Sequence, residues 1–144
     1  MRGVLALFFI VAAEAFVTPR TAAGNDDVRP CDSVSIVSLG MYPDPLADGN
    51  KVTEWNLRVH SDGEKTCRVP IRIVEVERNV VAAETSALIE TGTNDLKLGS
   101  MPDYRLTGET RCFNVIWTAA ETRTKPEAPQ TFCALHIDNW WTMR

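Results

Sequence analysis

The chain has 144 residues, 44% of them apolar, with 15 basic against 19 acidic side chains and a net charge of −4. Mild acidity with the two signs well mixed argues against nucleic acid or an anionic membrane surface as partner. The four cysteines show no Cys-x-x-Cys spacing, which removes zinc-ribbon and thioredoxin-type chemistry from consideration.

Residues 1–23 read as a signal peptide. Arg2 supplies a basic start, 4–12 (VLALFFIVA) is a continuous apolar run, and the small residues at 13–15 and 21–23 place cleavage after Ala15 or Ala23. A membrane span needs about 20 apolar residues, and Glu14 interrupts this run, so no span is expected once the signal is removed. Loss of 1–23 removes Arg2, Arg20 and Glu14 and leaves 13 basic against 18 acidic side chains, a net charge of −5. The expected compartment is secreted or periplasmic. The breaker-rich, acidic stretch 24–31 reads as a flexible lead-in, and 32–144 as one domain, long enough to bury roughly two-thirds of its unfolded surface.

Within that domain the elements are read as strands. Residues 33–39 (SVSIVSL) are β-branched and apolar, and 40–49 is a loop by its Gly and Pro content. Residues 51–61 alternate cleanly, with Trp55, Leu57 and Val59 on one side and Glu54, Asn56, Arg58 and His60 on the other, the pattern of an antiparallel sheet with one dry face. After the Asp62-Gly63 turn, 66–78 forms a long strand whose apolar parity starts on Cys67, Val69, Ile71 and Ile73, then moves to Val74 and Val76. This predicts a bulge, with Glu75 and Glu77 turned outward as a solvated pair. Pro70 lacks a ladder donor and predicts an edge position for at least part of that strand.

Residues 80–90 (VVAAETSALIE) fit helix or strand, and short connections between strands favour strand. A short strand follows at 95–98 with Leu96 and Leu98 inward. The last two strands, 101–117 and 131–141, are joined by the charged, proline-rich 121–130 loop. About seven strands with regular turn signals predict an all-β, two-sheet antiparallel β-sandwich, with a barrel as the alternative.

The last two strands specify their own register. If Cys112 faces Cys133, then Phe113 falls opposite Phe132, Glu109 opposite His136 and Tyr104 opposite Trp141, pairs worth roughly 0.2 to 1 kcal/mol each. An even cysteine count in an oxidising compartment favours two disulfides, so Cys112–Cys133 is expected from this register and Cys31–Cys67 by elimination. Phe113, Val115, Trp117 and Phe132 then share the core face, with the bridge on the opposite one.

No residues form an expected catalytic, metal or cofactor site. His60 and His136 have carboxylates nearby in sequence but lack the three or four converging ligands a metal needs. No serine sits in a Gly-x-Ser-x-Gly elbow. The aromatics carry more information: adjacent Trp140 and Trp141 must face opposite sides of a strand, so one of them is available, with Tyr42, as a ligand-contact aromatic.

The order of signals resembles the immunoglobulin-like and fibronectin type III-like sandwiches of exported bacterial proteins, and is most similar to the bacterial cell-adhesion-related CARDB domains. The features that carry the likeness are the Trp-containing 52–63 (VTEWNLRVHSDG), the long 68–82, the Gly-containing 90–98 and the late strand that begins near Tyr104. Trp55 precedes Cys67, and Tyr104 lies eight residues before Cys112, so the antibody-type cysteine pin is not repeated. The resemblance implies a sandwich fold; without a catalytic motif, the chain is expected to be a non-catalytic binding or structural module. Its expected partner is a protein or a cell-envelope component, with carbohydrate as the alternative.

Overall fold

The computed structural model describes Cys31, residues 34–117 and residues 130–144. The expected signal peptide, the lead-in before Cys31 and nearly all of the 121–130 loop lie outside the described residues. Nine strands run in chain order: β1 (Val34–Tyr42), β2 (Leu46–Ala47), β3 (Glu54–Ser61), β4 (Cys67–Glu75), β5 (Val80–Ile89), β6 (Gly92–Gly99), β7 (Thr110–Trp117), β8 (Gln130–Ile137) and β9 (Trp140–Met143). They form two antiparallel sheets, β1-β3-β6 and β2-β9-β8-β7-β4-β5.

The core lies where the dry faces meet. Trp55, Leu57 and Val59 of β3 are buried, with Leu39 and Met41 of β1 and Leu98 of β6 beside them. From the larger sheet come Val69, Ile71 and Ile73 of β4, Phe113 and Val115 of β7, Ala134 of β8 and Trp141 of β9. The Trp55 and Phe113 rings meet at 4.8 Å and a tilt of 58°, an edge-biased contact worth about 1 kcal/mol beyond the area it buries.

Both expected disulfides form. Cys112–Cys133 joins directly opposed residues of β7 and β8, and Phe113 faces Phe132 beside it. Cys31–Cys67 ties the chain just ahead of β1, in the smaller sheet, to the start of β4 in the larger. Two disulfides suit an oxidising, extracellular or periplasmic compartment. No helix among the described residues is long and apolar enough to cross a membrane.

Residues 80–89 are strand, as expected, but two expectations are corrected. First, β4 keeps its inward parity unbroken from Cys67 to Glu75, and the irregularity falls on its partner: Ala82 is the extra residue between Ala83, opposite Ile73, and Val81, opposite Val74. The face switch read into Val74 and Val76 therefore does not occur, and Glu75 is fully buried. As a whole, β4 is internal to its sheet. It lies between β5 and β7, and the described β7 pairing starts at Ile71, one residue past Pro70.

Second, residues 101–109 are not strand, so Tyr104 does not face Trp141. The run expected as one strand over 131–141 reverses at Asp138 and Asn139, both with positive φ, 49° and 65°. Two left-handed residues make the tight hairpin that matches strand twist, and their short polar side chains tolerate that conformation. Trp141 consequently pairs with His136 and Trp140 with Ile137. Glu109 lies opposite His136, as expected, the His136 N–H donating to the Glu109 carbonyl at 2.9 Å.

Candidate functional site

Two features stand out from the solvated sandwich surface: a buried charged cluster at one end of the core and an apolar stripe on the outward face of the larger sheet. The cluster centres on Glu75, the last residue of β4. Arg78 Nε donates to Oε1 at 2.6 Å and its Nη2 to Oε2, while the Tyr104 hydroxyl donates to Oε2 at 2.8 Å. Arg111 of β7 brings its Nε to 3.5 Å from Oε1. The turn after β4, with Asn79 at φ 53°, brings Arg78 back over the Tyr104 ring, 5.8 Å from its centroid, and Arg78 Nη2 also reaches the Arg105 carbonyl at 3.0 Å.

Burial works to raise the Glu75 carboxyl, but the hydrogen bonds from Arg78 and Tyr104 and the charges of Arg78 and Arg111 outweigh it and hold the group below the usual carboxylate range. The bond to Glu75 raises the Arg78 guanidinium in turn. Burial, then the bond to Glu75, pushes the Tyr104 hydroxyl up. A carboxylate held ionised beside a phenol held neutral fixes charge in place. This arrangement locks the 101–109 segment onto the end of β4. A shallow cleft of about 210 Å³, lined by Arg78, Val80, Met101 and Tyr104 among others, opens beside it.

Sequence reasoning missed Glu75, Arg78, Tyr104 and Arg111 as a group. The available signal was the strict two-residue step Cys67, Val69, Ile71, Ile73, Glu75, which puts the carboxylate on the dry face and demands a cation for it.

The adjacent tryptophans part as expected. Trp141 is fully buried, stacked on His136 with centroids 4.6 Å apart and planes 9° apart, and its indole N–H donates to Asp48 Oδ1 at 3.0 Å. Trp140 is 50% exposed on the outward face, and Tyr42, at the end of β1, is 61% exposed. His60 is surface-bound to Asp62 at 3.1 Å and Thr93 at 3.3 Å. Among the described residues, no group of three or more His, Cys, Asp and Glu side chains converges on a metal position.

The outward face of the larger sheet gathers most of the exposed large apolar side chains. Trp140 and Ile137 oppose each other across β9 and β8, the Cys112–Cys133 bridge follows, and the Val76 N–H reaches the Cys112 carbonyl at 2.8 Å. Ile116 and Leu88 lie further along the same face, opposite Arg72 and Arg68 of β4. Exposed apolar groups collected on one sheet, with ionic neighbours at its border, mark a contact surface more often than isolated ones do. Comparison of the chain with family models, with curated proteins and with solved structures finds no match.

Proposed function

We propose that this chain is an exported, non-catalytic binding or structural module with an immunoglobulin-like sandwich, and that it meets a protein partner through the outward face of its larger sheet. The observation that carries this reading is the exposure of Trp140 and Ile137, opposed across β9 and β8, and of Val76 beside Cys112, each 47 to 51% exposed on the larger sheet. The immunoglobulin-like part is supported by strand order: β1-β3-β6 takes the places of strands A, B and E, and β5-β4-β7-β8 those of C′, C, F and G. Strands β9 and β2 extend the second sheet. Export is supported by the apolar leader and the two disulfides.

The test is capture from an envelope fraction on the immobilised, oxidised protein, run beside the double variant Ile137→Ser/Trp140→Ser. The reading expects a retained protein that the variant loses while its far-ultraviolet dichroism is unchanged. Equal retention by both, or none by either, counts against it. The second reading, a carbohydrate-binding module, is favoured by Tyr42 and Trp140, the two exposed aromatic rings among the described residues. Depletion by insoluble polysaccharide that Trp140→Ala or Tyr42→Ala abolishes would select it instead.

A further inference from the structure

The two sheets have four edges, and the described residues treat them differently. Strand β2 is two residues long, β1 carries a register shift between Ile36 and Ser38, and β6 holds Asp95, Lys97 and a glycine at each end. Short length, a bulge, and charge or glycine each discourage pairing with another chain. Strand β5 differs. Its first half is covered, since Ala83 bridges Ser100 and the Met101 N–H donates to the Ala82 carbonyl at 2.8 Å. Its second half, 84–89 (ETSALI), pairs only with β4 among the described residues and carries no proline, glycine or lysine. Its one charge, Glu84, is engaged by Arg72 at 2.8 Å.

We infer that β5 is a self-pairing edge, on which a second copy of this chain adds antiparallel about a two-fold axis through Ser86. The register follows from the side chains. Opposed residues in an antiparallel pair must share a face, so the two numbers sum to an even value. Placing Ala87 opposite its own copy would set Glu84 against Glu90 of the second copy, a like-charge pair. Placing Thr85 opposite its own copy would shorten the seam to 84–86. With Ser86 opposite Ser86, Glu84 faces Leu88 and Thr85 faces Ala87, and no like charges meet.

Charge complementarity points the same way. Arg68, opposite Leu88 on β4, is exposed and has no ion-pair partner among the described residues. In this register it lies two strands from Glu84 of the other copy, within reach of two long side chains. The result is one continuous sheet of two six-stranded halves with both apolar stripes on the same face. A seam this short implies weak, concentration-dependent association. The inference does not depend on what covers the apolar face.

The test is sedimentation velocity of the oxidised protein from low micromolar to submillimolar concentration. A monomer–dimer equilibrium is expected, weakened about tenfold or more by Ser86→Lys, which opposes two ammonium groups across the axis, and kept by Ser86→Thr. Ser86→Cys should give a covalent dimer on oxidation, which reads the register directly and does not depend on the lysine variant folding. A monomer at every concentration, a dimer indifferent to Ser86→Lys, or a dimer that Ser86→Cys fails to cross-link would each overturn the inference.

Discussion

The Tyr104 hydroxyl donates a hydrogen bond to Oε2 of Glu75 at 2.8 Å across 29 residues of sequence, both groups being buried at the end of the core. Arg78 and Arg111 supply the charge, and Tyr104 supplies the remaining donor. Removing the carboxylate leaves the guanidinium groups without their shared partner, whereas removing the phenol oxygen leaves the ion pairs intact. Glu75→Gln should therefore lose about 3 to 5 kcal/mol in urea unfolding and Tyr104→Phe about 1.5 to 3. Equal losses would mean that the cluster is held by packing rather than by charge.

The same cluster sets a pH dependence on both flanks. Glu75 is depressed below its ordinary 4.5, so its contribution is present above that value and is lost as pH falls through the lower folded-state value. Tyr104 is raised above its ordinary 10.0, so its contribution is present below that value and is lost as pH rises beyond it. The urea midpoint should fall on both sides. Glu75→Gln should flatten the acid limb and Tyr104→Phe the alkaline one, and unfolding titrations of the three proteins check this.

How much of this was legible in the sequence depends on which physical signal each feature used. The alternation at Trp55, Leu57 and Val59 and the opposed cysteines were readable because a two-residue period and a cross-strand pair are local. Trp140 and Trp141 could be set on opposite faces for the same reason. Glu75 was misread because apolarity was used to find the inward face, and a carboxylate satisfied by Arg78, Tyr104 and Arg111 breaks that proxy without breaking the parity. The extra residue lay on β5, where two buried alanines, Ala82 and Ala83, leave no polar mark. The reversal at Asp138 and Asn139 was missed because it uses no glycine, and losing it put Trp141 in the wrong pair. The apolar stripe needs the order of five strands and could not be seen from any one of them.

The two disulfides should differ in what they hold. Cys112–Cys133 closes 21 residues within a hairpin already joined by its ladder, and Cys31–Cys67 closes 36 and ties one sheet to the other. Chain entropy predicts losses of about 3 and about 4 kcal/mol for the paired alanine variants. Removing the hairpin bridge should leave the aromatic bands of the near-ultraviolet dichroism unchanged below the transition, because the Phe113–Phe132 register persists without it. Removing the other should loosen the seat of β1 and speed amide exchange there. Hydrogen exchange resolved by segment distinguishes the two.

Adjacent Trp140 and Trp141 offer the sharpest contrast along the chain. Trp141 is fully buried, stacked on His136 and bonded to Asp48. Truncation there opens a cavity and uncovers the His136 face, so Trp141→Ala should lose about 3 to 5 kcal/mol. Trp140 is 50% exposed on the outward face, where its ring faces Ile137 and solvent, so Trp140→Ala should stay within about 0.5 kcal/mol. Fluorescence gives an independent reading, because Trp55 and Trp141 are shielded and Trp140 is open to a neutral quencher such as acrylamide. Trp140→Ala should remove most of the readily quenched emission contributed by the described tryptophans and leave the unfolding midpoint in place. If Trp140→Ala instead lowers the midpoint as much as Trp141→Ala does, the hairpin turn at Asp138 and Asn139 is placed one residue wrong, and the apolar stripe loses its largest member.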